Sequence, residues 1–321
     1  MAVTLTGASA TLVRSSDAET INALYRAQRI DWVQMERGPF QGSLSVVDLG
    51  SMRVTREEYN VGWRRNGELR QGHALVGLTF HPATRARWFG SDVGTADLCT
   101  TSKVVDVGAQ GFGSGFAIAI NAARARERFG HVGGIDELLD ACRRERLQTS
   151  PAYAPRLRSF MRGLFTMMDI APNTVMRPLV AHVLERDLMP LLVRAVAGEA
   201  IAPRRHHSRR VAAVRACEAY MHEHIDTPIT LHDLSLVTGM QPRSVANAFE
   251  AVTGLTPMAY LRARRLSGVR RALQRADGGR VRIIDVAADW GFWHLGHFTA
   301  AYQSMFGETP SETLRRWQIE N

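Results

Sequence analysis

The last third of this sequence contains one pattern twice, and the pattern allows few folds: a helix-start signal, an apolar stripe, a glycine and a second helix. In the first copy, Thr230 and Asp233 have the spacing of a capping box, in which each side chain binds the backbone N–H of the other residue. Gly239 stands where a helix ends in a left-handed residue, and Pro242 suits the first position of a following helix. The apolar stripe consists of Leu231, Leu234 and Val237. We therefore predict two short helices joined by a tight turn.

The second helix of this copy has one apolar and one polar side. The apolar side carries Val245, Phe249 and Val252. Arg243, Ser244 and Asn247 lie on the other side, near the start of the helix. Two such helices form a helix-turn-helix signature, in which the second helix enters the major groove of DNA. Arginine pairs with guanine and asparagine with adenine, so Arg243 and Asn247 are predicted to read bases, although both also suit a solvated helix face.

The second copy spans about 283–306 and follows the same order. Ile283 to Asp289 has the pattern of a short helix, and Gly291 marks the turn. The next helix carries aromatic residues four apart, Phe298, Tyr302 and Phe306, and ends before Gly307. Thr309-Pro-Ser-Glu then forms a second capping box with proline at the first helical position.

One helix is predicted to connect the two copies. Thr256 caps it, Pro257 opens it, and its apolar pattern continues to about Ala276, before the break at Asp277-Gly-Gly. A helix of about 19 residues is about 28 Å long. Successive major-groove faces of DNA lie about 34 Å apart, so this helix suits two recognition helices on adjacent turns of one side of a duplex.

Further positions in this region carry a family resemblance. They are Gly254, Pro257, Arg264, Leu266, Ala287, Ala288, Gly291, Phe292, Phe298, Phe306, Gly307 and Pro310. Together with Gly291-Phe-Trp-His-Leu-Gly-His-Phe, they make the segment from about Val211 to Trp317 similar to the AraC/XylS family of transcription regulators, and to its XylS-type branch in particular. The resemblance implies that Arg243 and Asn247 read one groove and that the helix from His294 reads the next. Ser244 and His297 complete the predicted DNA-binding set.

The second unit departs from the family pattern. Ala300 and His297 stand where the family often has arginine. We therefore expect the second unit to bind more weakly, or to read shape and methyl groups more than hydrogen bonds. His297 is the candidate for a base or phosphate contact there, and a simply exposed histidine is the alternative.

The N-terminal part predicts a different fold. Residues from about Leu44 to Val107 alternate short apolar runs with glycine and proline, which is typical of a small β-sandwich or barrel. Helical periodicity follows at Ile135 to Arg146, Ala154 to Met168 and Val175 to Val196. The α+β fold class thus combines a β-rich, cupin-like sensor domain and trailing helices (1–200), a basic linker (201–210) and an all-α DNA-binding domain (211–321).

The family resemblance implies that the N-terminal domain senses a small-molecule effector and dimerises. Aromatic surface combined with cationic or hydrogen-bonding groups makes five residues candidates for the effector site, namely Trp63, His73, Arg85, Arg87 and Trp88. An apolar stripe predicts either a dimer seam or packing within its own domain; it comprises Val175, Leu179, Val183, Leu184, Leu188, Leu191 and Leu192. The resemblance further implies an activator that binds two promoter half-sites as a homodimer, with RNA polymerase as a partner.

Composition agrees with a protein that binds DNA. Lys and Arg number 40 against 31 Asp and Glu, the net charge is +9, and Lys103 is the only lysine. Arginine suits phosphate and guanine, although a basic balance also fits anionic membranes or solubility. Three dispersed cysteines predict a reducing cytoplasm, no secretion signal is recognised, and no run of about 18 apolar residues predicts a membrane helix.

Enzymatic motifs are weak, so we predict no enzyme, no cofactor and no metal. The cluster from Gly111 to Gly115 lacks the lysine of a phosphate loop, and Ser114 lacks the flanking glycines of a nucleophile elbow. His73 and His81 are too few for a convincing metal site. Two alternatives stay open: a metal-dependent cupin-type enzyme fused to a DNA-binding module, and a ligand-independent DNA-binding repressor.

Overall fold

The N-terminal part of the chain forms two antiparallel β-sheets. The computed structural model describes residues 9–26, 29–79, 81, 84–144, 147–197, 201–204, 208–276 and 281–320. Its strands are β1 (Ser9–Ser15), β2 (Ile30–Gln34), β3 (Gly42–Asp48), β4 (Met52–Tyr59), β5 (Trp63–Glu68), β6 (His73–Thr79), β7 (Arg85–Trp88), β8 (Ser91–Val93), β9 (Asp97–Thr101), β10 (Val104–Gln110), β11 (Gly113–Asn121), β12 (Leu147–Thr149) and β13 (Ile201–Arg204). The first sheet has the order β1-β3-β4-β11-β6-β9-β12-β13 and the second β2-β5-β10-β7-β8. The predicted β-rich region is confirmed, and it extends beyond 44–107 in both directions.

Helices cover the outer side of the first sheet. They are α2 (Ala122–Phe129), α3 (Ile135–Arg143), α4 (Ala154–Ile170), α5 (Pro172–Val175) and α6 (Pro178–Ala197), whereas α1 (Ala18–Arg26) packs at β1 and β2. The predicted helix from Val175 to Val196 is wrong at its start, because the helical backbone is interrupted between the end of α5 and the start of α6. Proline disfavours helical backbone in the residue before it, so Pro178 opens a new helix instead of continuing the old one.

Alternation along β11 shows how the first sheet divides the N-terminal part. Phe116, Ile118 and Ile120 are buried in the core shared with α2 to α6, where the Phe116 ring stacks on Phe165 at 5.7 Å. Ala117 and Ala119 point the other way and line a cavity between the two sheets. The first sheet therefore separates a helical core from this cavity.

The apolar stripe near α6 packs mostly within its own domain. Val175, Leu188 and Leu192 are fully buried, and Leu184 and Leu191 contact the same core. Leu179 differs, since 71% of it is exposed. The structure therefore favours intradomain packing for most of the stripe, and a dimer seam stays a prediction.

The C-terminal part is helical and follows the predicted pattern. Its helices are α7 (Ser208–Glu223), α8 (Leu231–Thr238), α9 (Pro242–Thr253), α10 (Pro257–Gln274), α11 (Ile283–Asp289), α12 (Leu295–Phe306) and α13 (Pro310–Glu320). Both capping boxes are present, at Thr230 with Asp233 and at Thr309 with Glu312. Gly239 adopts the left-handed conformation at the end of α8, with φ of 63°. The break expected at 277–279 lies outside the described residues.

The C-terminal helices pack on the outer side of the second sheet. One apolar core joins the two parts, because Trp88 and Phe89 belong to the same cluster as Phe249 and Tyr260. The order of layers is thus helices, first sheet, cavity, second sheet and C-terminal helices. The first residues of the predicted linker form β13, and its residues 205–207 lie outside the described ranges. The domain boundaries stay a prediction.

Candidate nucleic-acid interface and buried cavity

The first recognition helix, α9, presents its predicted reading residues to solvent. Arg243, Ser244 and Asn247 are exposed, whereas Val245 and Phe249 on the other side are buried. Pro242 occupies the first turn, so α9 begins immediately after the turn that follows α8. The structure therefore brings the three side chains together on one accessible surface at the start of the helix.

The second recognition helix, α12, is exposed in the same manner but is less polar. His294 is the residue at its N-cap, and His297 and Ala300 are exposed along it. Phe298 is buried. Sequence reasoning missed Trp293, which directly precedes the cap and is 65% exposed. An exposed tryptophan is unusual for a small domain, and its place outside the apolar spacing of α12 was the signal in the sequence.

Two residues of α10, Arg265 and Gly268, hold the two helix-turn-helix units in one arrangement. Arg265 donates to the carbonyl oxygens of Ile225 and Thr227 at 2.8 and 2.5 Å, before the first unit, and lies 3.4 Å from that of Gly291 in the second. At Gly268, a Cβ atom would stand 2.1 Å from the Trp290 ring, so only glycine admits this close approach. The middle of α10 is therefore packed against both units.

The ends of both recognition helices contact the N-terminal part. A guanidinium nitrogen of Arg87 in β7 lies 3.4 Å from the carbonyl oxygen of Glu250 in α9. The Gln34 side-chain amide in β2 donates to the carbonyl oxygen of Met305 in α12 at 2.9 Å, and the Gly38 N–H donates to the same oxygen at 3.1 Å. These contacts use the C-terminal halves of α9 and α12, so the N-terminal halves that carry the predicted reading residues stay accessible.

A buried charge cluster joins the second sheet to α7. Arg64 of β5 contacts Asp106 of β10 at 2.8 Å and Glu218 of α7 at 3.0 Å, and Arg215 lies 3.6 Å from Asp106. Burial would raise the pKa of Glu218, but Arg64 and the Tyr260 hydroxyl hold it below its ordinary value. Two arginines face two carboxylates, so the charges in this cluster compensate each other.

A second group of ion pairs fixes α10. Arg270 contacts Asp17 at 3.0 Å and Glu308 at 2.7 Å, and all three residues are buried. Arg264 contacts Asp31 in β2 at 2.7 Å. Sequence reasoning noted Arg264 only as part of a family resemblance, and the partners Asp17 and Asp31 lie more than 200 positions away in the chain.

The cavity between the sheets has a volume of about 120 Å³. Trp63 and Trp88 line it, as do Ala86 and Val107. The cavity suits a small molecule, because it is concave and mostly apolar with a few polar groups.

Three of the five candidate effector residues lie outside this cavity. Arg85 and Arg87 stand on β7 in alternation with Ala86 and Trp88, so their side chains point to the opposite face of the sheet. His73 is at the first position of β6, where its Nδ1 lies 3.3 Å from the carbonyl oxygen of Gln71. The predicted grouping of these three residues with the two tryptophans is therefore not found.

Sequence reasoning also missed the polar group of the cavity. Both terminal nitrogens of Arg65 donate to the two carboxylate oxygens of Glu57, each at 2.7 Å. The Tyr25 hydroxyl donates to Glu57 at 2.5 Å, and burial raises the pKa of Tyr25 far above its ordinary value. The alternation of Trp63 and Arg65 along β5 was the available signal, but the partner Glu57 lies in β4 of the other sheet, and the packing of the two sheets is not evident from the sequence.

The described residues contain neither a group of three or more His, Cys, Asp or Glu side chains placed to hold a metal ion, nor a helix long and apolar enough to cross a membrane.

The C-terminal part of the chain is similar to known proteins. A family model described as a helix-turn-helix domain matches residues 234–316. A XylDLEGF operon transcriptional activator from Pseudomonas putida is 32% identical over 169 residues, which are 51% of this chain and 51% of that protein. Another P. putida protein, XylDLEGF operon transcriptional activator 2, is 43% identical over 95 residues, or 30% of this chain and 60% of that protein. The chain thus spans about half the length of the first of these relatives.

A solved structure also matches this part. It is that of a probable AraC family transcriptional regulator from Rhodopseudomonas palustris CGA009, with 36% identity and a TM-score of 0.32. The match covers 33% of this chain and 98% of that one.

Proposed function

Because this chain belongs to the AraC/XylS family of DNA-binding transcription regulators, we propose that it binds a specific DNA sequence through α9 and α12 in two adjacent major grooves. One observation carries the proposal. The N-terminal halves of both helices are exposed, while α10 and the contacts of Arg265 hold the two units together. In this account Arg243 binds a guanine and Asn247 an adenine, and Ser244, His294 and His297 contact bases or phosphates.

We further propose that the protein is an activator that responds to a small molecule. Relatives that match it are named transcriptional activators, and the cavity offers an enclosed site for an effector. We also propose that the protein binds two half-sites as a homodimer and recruits RNA polymerase. This role implies action in the cytoplasm, where the DNA is.

Strand β5 is the link we propose between effector and DNA. Arg65 points into the cavity and pairs with Glu57, whereas its neighbour Arg64 points out and pairs with Glu218 of α7. Successive residues of a strand face opposite sides, so a shift of this strand reaches both sites at once. In this account an effector in the cavity changes how α7 and the helices after it rest on the second sheet.

Selection of bound sequences from a random DNA pool tests the DNA-binding proposal. We expect each half-site in the enriched sequences to contain two short blocks whose centres lie about 10 base pairs apart, because one helical turn separates the two grooves. Enrichment of a single block, or of no sequence at all above the starting pool, would contradict it.

A further inference from the structure

We propose that the cavity binds a small, uncharged and mainly apolar molecule that carries one hydrogen-bond acceptor, and not an acid or an amine. The inference rests on the proposed effector role of the cavity and adds the chemical class of the ligand. Charge compensation, the size and lining of the cavity, and unpaired donors in its wall support it.

The charges of the cavity are already paired. Arg65 and Glu57 are both buried, and two hydrogen bonds of 2.7 Å connect them. The Tyr25 hydroxyl also donates to Glu57, and the Arg65 guanidinium lies 4.7 and 4.4 Å from the centres of the Tyr25 and Trp63 rings. A ligand carboxylate would have to displace Glu57 from Arg65, and a ligand ammonium would have to displace Arg65. Either exchange leaves an uncompensated buried charge, which proteins avoid.

The remaining charge in the lining does not alter this balance. Arg53 also borders the cavity, but its side chain is 48% exposed and contacts Asp48 at 3.2 Å. Because water screens an exposed charge, Arg53 attracts an anion weakly compared with a buried cation. The buried part of the cavity therefore carries no net charge.

Size and lining indicate a compact apolar body. The cavity volume is about 120 Å³. An engineered apolar cavity of about 150 Å³ in another protein holds benzene. Aliphatic and small residues form most of the wall, including Leu44, Val46, Leu75, Ala117 and Ala119. A single ring or a short chain of similar volume is therefore the expected occupant.

Two hydrogen-bond donors without a partner in the cavity wall are the reason for proposing an acceptor on the ligand. The indole N–H groups of Trp63 and Trp88 are buried and have no hydrogen-bond partner among the described residues. Both side chains belong to the cavity wall. A buried N–H without a partner is costly, so a ligand that brings an acceptor oxygen within reach of one of them gains affinity.

Three probes of one size and different charge test the inference on the full chain: benzyl alcohol, benzoate and benzylamine. Binding is measured by tryptophan fluorescence, since Trp63 and Trp88 line the cavity, and by calorimetry. We expect benzyl alcohol to bind at least tenfold more tightly than either ion. Tighter binding of benzoate or benzylamine would contradict the inference that the ligand is uncharged. If calorimetry detects no binding of any of the three probes, the inferred size of the ligand is wrong.

Two variants sharpen the result. In Glu57→Gln the charge of Arg65 loses its partner, so the affinity for benzoate should rise at least tenfold relative to the affinity for benzyl alcohol. In Ala117→Leu the added side chain occupies the cavity, so all three probes should lose affinity. If Glu57→Gln leaves the order of the probes unchanged, the charge argument is wrong. Sequence selection by the wild-type protein is scored separately, so failure of this inference and failure of DNA binding are distinguishable.

Discussion

At the residue scale, the account depends on a few exposed side chains, and Arg243 is the first of them. Arg243→Ala should weaken binding to the selected site by roughly 1–3 kcal/mol and relax discrimination at one base pair, because a guanine contact is lost. Competition titrations against single-base variants of the site measure both effects. Arg144→Ala, an exposed arginine near the end of α3, is the matched control. An unchanged ratio of specific to random DNA binding would show that Arg243 does not read a base.

The exposed Ala300 tests whether α12 approaches the groove. Ala300→Arg should tighten binding and steepen the dependence on salt by about one counterion, because a phosphate contact releases one. Binding measured at several salt concentrations gives the slope. Gln303→Arg adds the same charge to the exposed side of α12, closer to its C-terminal end, and should change the slope less. Equal slopes for Ala300→Arg and the wild type would mean that this side of α12 does not face DNA.

At the element scale, local signals explain what could be predicted from the sequence. The caps at Thr230 and Thr309 and the ends at Gly239 and Gly307 are decided by neighbours a few positions away, and all four are confirmed. Strands β1 and β2 went unpredicted because their pairing partners are distant in the chain. The Arg65–Glu57 pair was missed for another reason: the two residues are close in the chain, but β4 and β5 belong to different sheets, and the sequence does not show that these sheets face each other across a cavity.

The packing of α11 on α10 predicts that a glycine-to-alanine substitution in a helix lowers the stability of the protein. Alanine normally stabilises a helix relative to glycine by up to about 1 kcal/mol. Gly268→Ala should instead lower the free energy of unfolding by about 1–3 kcal/mol, since the new Cβ would overlap the Trp290 ring. Gly163→Ala in α4 is the control, because nothing lies within 4 Å of its added Cβ. Urea unfolding compares the two, and a stabilised Gly268→Ala variant would contradict the close approach.

At the scale of the whole molecule, the charge cluster around Arg64 should couple the two parts. Glu218→Gln removes one buried carboxylate and should cost about 1–3 kcal/mol of stability, with faster hydrogen exchange in both β5 and α7. Glu223→Gln, on the exposed side of the same helix, should have little effect. Faster exchange confined to α7 would show that β5 does not sense the contact.

The central claim concerns the distance between the two reading surfaces. Hydroxyl-radical footprinting of the full-length protein on its selected site measures that distance directly. We predict that each half-site shows two protected patches about 10 base pairs apart on one face of the duplex. A single patch, or two patches on opposite faces, would contradict the account.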